Sequence, residues 1–281
     1  MIAINNLIKK YDDFVLELSL NIPDGTVSGI VGRNGAGKST LIKSILGLIR
    51  PDGGTVLTMD KDPYLLSSQE KAEIGVAMSD SGFSSYLSIN DIVKILRNMY
   101  TDFDEENFIS NCNNGGLPLG KRISEFSTGM KAKLRVLTAC SHNAKLLILD
   151  EPTSGLDVVA RREILDMLRQ YLSEDSRRTM LISSHISSDL EGICDDIYMI
   201  NNGKIILHED TDRILGEYAV LKLSDAKYGE IDDKYIVKVK KEKFGYSCLT
   251  DQRQFYVENY PDIVIESGSI DDMIIMMTEG D

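Results

Sequence analysis

Gly32-Arg33-Asn34-Gly35-Ala36-Gly37-Lys38-Ser39-Thr40 satisfies the pattern G-x-x-x-x-G-K-[ST]. Upstream, Thr26 to Val31 reads as a strand; downstream, Leu41, Ile42, Ile45, Leu46 and Ile49 recur at helical spacing until Gly47, Pro51 and Gly53 close the element. The order is strand, glycine-rich turn, helix. Glycines at 32, 35 and 37 remove side chains that would keep backbone N–H groups from wrapping a β-phosphate, and the positive end of the helix favours the same charge. Asn34, Gly35, Ala36, Gly37, Lys38, Ser39 and Thr40 are therefore the expected triphosphate contacts. Lys38 supplies a point charge between the β- and γ-phosphates, and Ser39 a hydroxyl for Mg²⁺.

Working outward, Leu146 to Leu149 reads as a buried strand that delivers Asp150 and Glu151 at its C-terminal end, beside the glycine-rich turn in a doubly wound sheet. Asp150 would hold Mg²⁺, directly or through water, and Glu151 would orient and deprotonate the water that attacks a γ-phosphate. His185 follows Met180 to Ser184, again at a strand's C-terminal edge, where its imidazole can hydrogen-bond a γ-phosphate oxygen. His142 and His208 have no comparable setting and read as structural or solvated.

Short apolar runs alternate with helix-periodic segments from about residue 26 to about 200, the pattern of βα units around a largely parallel sheet. One helical stretch is predicted between roughly 88 and 112, opened by Ser88 and Asp91 as a capping box. A loop from Asn113 to Pro118 leads to a second helix from Met130 to about Cys140. Ile197 to Ile200, a turn at Asn201 to Gly203, and Ile205 to Leu207 form a hairpin. From about Glu217 the grammar changes: Tyr235 to Lys240 alternates like a strand, and Ser269 with Asp272 caps a short apolar run.

A formal net charge of −13 opposes a sequence-independent nucleic-acid binder, and no nucleic-acid partner is expected. No apolar run approaches the roughly 18 to 20 residues needed to cross a bilayer. The N-terminus lacks signal-peptide features, and Cys112, Cys140, Cys194 and Cys248 form no close pair, so a reduced cytoplasmic setting is expected.

Phe126-Ser127-Thr128-Gly129-Met130 ahead of a helix, then Asp150-Glu151-Pro152-Thr153-Ser154-Gly155-Leu156-Asp157, then His185, resembles the nucleotide-binding domain of an ABC transporter, in that family's order and at its usual spacing. The resemblance covers about residues 1 to 215. The family's signature is most often Leu-Ser-Gly-Gly-Gln; here Ser127 and Gly129 are kept and the other three positions depart. The chain looks most like the YtrB-like and bacitracin-exporter branch, where such departures are common and a similar small C-terminal extension occurs.

The resemblance implies an α/β fold: a P-loop core of ABC type with a mixed, mainly parallel sheet, an antiparallel N-terminal subdomain and a helical subdomain. The ATP-binding domain would span 1–216 with the helical subdomain at about 86–140, and a small α+β appendage would span 217–281. It implies ATP with Mg²⁺, and two ATP-binding subunits, identical or related, packed head to tail. Ser127, Thr128 and Gly129 would contact the partner's ATP, Asp157 would bridge the two sites, and Tyr11 would stack on adenine. Without the resemblance, Ser127 to Gly129 reads as a helix cap and Tyr11 as a core tyrosine on an early strand.

One departure concerns the glutamine that the family usually places after the strand at Glu73 to Met78; here Ser79 or Asp80 stands there, to touch Mg²⁺ and the attacking water. Phe83, Tyr86 and Leu87 either dock a membrane subunit or pack within the helical insertion. Lys131, Lys133 and Arg135 read as a solvated helix face, with Lys131 also placed to add charge near the partner's phosphate. The implied function is an ATP-hydrolysing subunit that drives a separately encoded membrane permease, an exporter, from the inner face of the cell membrane. The alternatives are a soluble ABC-type ATPase and a low-turnover nucleotide-dependent regulator.

Overall fold

Alternation along the central strands sorts their side chains into two different cores. The computed structural model describes residues 1–78 and 82–278. The chain opens with β1 (Ile2–Tyr11) and β2 (Phe14–Ile22), an antiparallel hairpin whose buried residues alternate along β2. β3 (Val27–Val31) runs through the glycine-rich turn into α1 (Lys38–Ile45), and β4 (Gly53–Thr58) returns to pair with β1, giving the sheet β2-β1-β4. After α2 (Ser68–Lys71) comes β5 (Ile74–Ala77), an outer strand of the main sheet.

The single helix predicted at 88–112 is two. α3 (Ile89–Met99) has the Ser88–Asp91 capping box, and α4 (Glu105–Asn114) starts afresh because Asp104 accepts a hydrogen bond from the Asn107 N–H. α5 (Thr128–Cys140) begins two residues before the expected Met130, since Ser127 is its cap. Ile89, Ile92, Leu96, Phe108 and Leu134 form an apolar cluster shared by α3, α4 and α5.

β6 (Leu146–Asp150), α6 (Val158–Glu174), β7 (Thr179–Ser184), α7 (Ser188–Glu191), β8 (Asp196–Asn201) and β9 (Lys204–Asp210) complete the main sheet, in the order β5-β6-β7-β3-β8-β9. All pairs are parallel except β8–β9, the predicted hairpin. Leu146, Ile148, Leu181 and Ile30 face a core shared with β1, β2 and α1; Leu147, Leu149, Met180, Ile182 and Val31 face the opposite one, with α5 and α6. Both faces are covered, which is why these strands read as continuous apolar runs.

α8 (Thr211–Glu217) leads to β10 (Ala219–Leu223), α9 (Asp225–Tyr228), β11 (Ile236–Glu242), β12 (Gly245–Thr250), α10 (Arg253–Asn259), β13 (Val264–Ser267) and α11 (Ile270–Thr278). The strands form an antiparallel sheet, β11-β12-β10-β13. It does not stand apart. Val220, Leu249, Ile270, Met273 and Met276 join the same buried cluster as Leu190, Cys194 and Ile214, while Leu221, Leu223, Cys248 and Tyr256 make a smaller core on the other side. Among the described residues no helix is long and apolar enough to cross a membrane.

Candidate active site

Register places the chemistry. In the parallel sheet Val31 pairs with Ser184 and Asp150 with Ser183, so β3, β6 and β7 end side by side and their following residues share one edge. Gly32 to Thr40, Asp150 with Glu151, and His185 meet there.

The glycine-rich turn needs its glycines for two separate reasons. Gly35 has φ +83° and nothing within 4 Å of where a Cβ would sit, leaving an open cradle of backbone. Gly37 has φ +114°, and a Cβ there would lie 2.7 Å from Leu16 Cδ1 and 3.0 Å from Phe14. It is also the N-cap of α1, and no side chain caps it, so the helix's positive end faces the cradle.

Lys38 is buried, and its Nζ donates to the Gly32 carbonyl at 2.7 Å and lies 3.2 Å from Glu151 Oε1. The other carboxylate oxygen of Glu151 meets His185 Nδ1 and accepts the His185 backbone N–H at 3.3 Å. Lysine, glutamate and histidine thus converge on one point. Asp150 is buried: Oδ2 accepts from Ser39 Oγ at 2.9 Å and Oδ1 from Ser183 Oγ at 2.6 Å. A cavity of about 470 Å³ opens over these groups, lined also by Tyr11, Phe14, Asn34 and Ser154. Tyr11 is 47% exposed at the cavity's rim, with its ring 6.4 Å from that of Phe14. That exposure excludes the alternative of a core tyrosine.

Ser39 and Asp150 fit a hard divalent cation: a hydroxyl and a carboxylate in contact, at the foot of the cradle. Mg²⁺ takes one or two protein oxygens and fills the rest of its shell with phosphate and water, so this hydroxyl and carboxylate suffice to hold it. Ser79 and Asp80, the other candidate ligands, lie outside the described residues.

Ser127, Thr128 and Gly129 line a second depression together with Gly155 and Asp157, and it shares no residue with the first. Ser127 Oγ accepts the Met130 N–H at 3.2 Å, and Asp157 caps α6 by accepting the Ala160 N–H at 2.9 Å. Beside Asp157, Val158 and Val159 are 76% and 69% exposed.

The basic residues of α5 are not a uniform solvated face. Lys133 pairs with Glu163 at 2.6 Å and Arg135 donates to the Met78 carbonyl at 3.2 Å, because α5 lies against both α6 and β5. Tyr86 is 78% exposed, whereas Phe83 and Leu87 are partly buried against the cluster of α3 to α5. His142 stacks on Tyr100 at 3.9 Å, and His208 stacks on Tyr198 while meeting Asp196 at 2.7 Å, both away from the cavity. Phe14, Ser154 and Ser183 are the residues that sequence reasoning missed. For Phe14 and Ser154 proximity to Tyr11 and Glu151 in the chain was a signal; for Ser183 it was the polar break at the end of an apolar strand.

Residues 15–154 match the sequence family described as ABC transporter; Tyr11, Asp157 and His185 lie outside that span. The lantibiotic transport ATP-binding protein SrtF of Streptococcus pyogenes is 35% identical over 216 residues, covering 75% of this chain and 92% of that protein. The bacitracin transport ATP-binding protein BcrA of Bacillus licheniformis is 28% identical over 306 aligned residues, covering 100% of this chain and 98% of that protein. Among solved structures, an ATP-binding subunit of an ABC transporter superposes with TM-score 0.66 at 24% identity, over 76% of this chain and 91% of that one. The cbiO1 protein of Clostridium perfringens does so with TM-score 0.64 at 26% identity, over 77% of this chain and 90% of that one.

Proposed function

We propose, from the premise that this chain belongs to the ABC transporter ATP-binding family, that it drives a separately encoded membrane permease, an exporter, by closing head to tail on a second ATP-binding subunit. ATP binding with Mg²⁺ and ATP hydrolysis come with membership. The observation that carries the rest is the separation of the two depressions. Lys38, Glu151 and His185 lie in one, Ser127 to Gly129 with Asp157 in the other, so one chain offers two unlike halves that a second copy or a related chain would complete. The exposed Val158 and Val159 supply apolar surface beside Asp157 for that closure. Relatives named for lantibiotic and bacitracin transport favour export. Residues 1–216 are assigned to the ATP-binding domain and 217–281 to an accessory domain, at the inner face of the membrane through the permease.

In this reading the backbone of Asn34 to Thr40 binds the β-phosphate, Lys38 neutralises charge between the β- and γ-phosphates, and Tyr11 stacks on the base. Asp150 and Ser39 would hold Mg²⁺, which offsets charge on the phosphate oxygens. Glu151 orients the attacking water through one carboxylate oxygen and accepts its proton, and His185 holds Glu151 by the other.

Replacing Glu151 with Gln keeps size and polarity but removes the base. Turnover should fall by at least about 100-fold while ATP affinity stays within a few fold, and the ATP-bound form should elute as a dimer. Equal loss of binding and turnover would contradict the assigned role. Co-purification of the tagged chain with an integral membrane protein tests the permease; ribosomes or DNA in its place would overturn it.

A further inference from the structure

We propose that Ser183 is the positioning residue for both carboxylates of the site, an inference that rests on the roles assigned above to Asp150 and Glu151. Ser183 lies at the end of β7, fully buried, opposite Asp150 in the parallel register. Its hydroxyl donates to Asp150 Oδ1 at 2.6 Å and at the same time accepts the Glu151 backbone N–H at 3.0 Å; its own carbonyl accepts that N–H as well, at 3.2 Å. One side chain therefore touches both acids.

The two bonds do different things. Asp150 has its other oxygen on Ser39, so the Ser183 bond closes a clamp that fixes the plane of the carboxylate and sets which lone pairs face the cradle. Glu151 is harder to hold. Its φ is +52°, a left-handed conformation that a residue with a β-carbon adopts only under constraint. This reversal lifts the chain off the strand and turns the Glu151 side chain back over the cradle, toward Lys38 and His185. The captured N–H fixes the Asp150–Glu151 peptide plane, the frame from which the left-handed φ of Glu151 sends its side chain over the cradle. A carboxylate displaced by even an ångström from the attacking water loses much of its effect, so Ser183 acts on turnover through Glu151 rather than on ATP affinity.

The test is steady-state hydrolysis by the full-length chain with Mg²⁺ and ATP, beside thermal denaturation, for Ser183→Ala, Ser183→Thr and Ser183→Cys, with Glu151→Gln in parallel. The Ala variant removes the donor to Asp150 and one acceptor of the Glu151 N–H; kcat should fall about 10- to 100-fold with KM for ATP within about threefold. Thr keeps the hydroxyl and should recover kcat to within about fivefold of the parent. If the Ala variant does not fold, Cys, close in size and a weak donor, carries the test, with a reduced kcat at unchanged KM expected. Parental kcat in a folded Ala or Cys variant overturns the proposal, as does a fall in kcat, ATP affinity and melting temperature together with no recovery by a folded Thr variant. In those cases a dead Glu151→Gln enzyme leaves the assignment of Glu151 standing. Full turnover by Glu151→Gln overturns that assignment and this inference with it.

Discussion

Lys38 is an ammonium group buried at the floor of a cavity, tied to the Gly32 carbonyl and beside one carboxylate oxygen. Its charge and its stem do separate jobs. Replacing Lys38 with Met keeps the apolar stem and removes the charge, so ATP affinity should weaken by at least about tenfold with little change in melting temperature. Calorimetric titration with Mg²⁺ present reads this directly, and unchanged affinity would contradict the phosphate role. Tyr11 offers a face rather than a charge. Tyr11→Phe should bind ATP like the parent, and Tyr11→Ala should lose about fivefold, the worth of a single aromatic stack. At the same scale, burial pushes the Cys112 and Cys140 thiols up to about 12 and Cys248 to about 11, and Cys194 rises well above its ordinary value for the same reason. None of the four is a thiolate near neutral pH, and each is unsuited to nucleophilic work.

Elements are held by their ends. Ser88 and Asp91 reciprocate hydrogen bonds at the start of α3, with the Ser88 hydroxyl donating to Asp91 Oδ2 at 2.7 Å. Ser88→Ala should cost about 1 kcal/mol in denaturant unfolding and leave ATP affinity unchanged, since the cap is remote from the cradle. The end of α5 carries a pH-dependent element. Desolvation holds the His142 imidazole below its ordinary pKa, opposed by backbone hydrogen bonds, notably to the Ile74 carbonyl. A depressed histidine takes up its proton more readily in the unfolded chain, so the unfolded state gains stability as pH falls. The contribution of His142 is thus complete above about 6.5 and is lost progressively below it. Melting temperature should fall between neutral pH and pH 5, and His142→Gln, which cannot titrate, should flatten that part of the curve. An equally steep profile would assign the effect elsewhere.

At the scale of the molecule, α11 and the last sheet share a core with the segment that follows His185. Ile270, Met273 and Met276 pack in one cluster with Leu190 and Cys194, and the Ile270 N–H donates to Glu191 Oε1 at 3.3 Å. Met273 is fully buried there. Met273→Ala should therefore destabilise the whole chain by about 2–5 kcal/mol, read as one cooperative transition. A separate low-temperature transition confined to residues 217–281 would show that the accessory unit melts alone.

What the sequence determined by itself is local: G-x-x-x-x-G-K-[ST] between a strand and a helix, the apolar run ending in Asp150-Glu151, and the serine caps at 88 and 127 are each legible because the physics that shapes them acts between residues a few positions apart. The break between α3 and α4 was missed, because the apolar spacing runs on across Tyr100 to Asp104 and the new cap at Asp104 outweighs it. Only the tertiary structure decided that Ser183 faces Asp150, that Phe14 underlies Gly37, that Arg135 reaches the end of β5, and that the C-terminal sheet shares the main core. Those contacts join residues separated by anything from about twenty to well over a hundred positions, and they depend on strand order and register, which no short window of sequence contains.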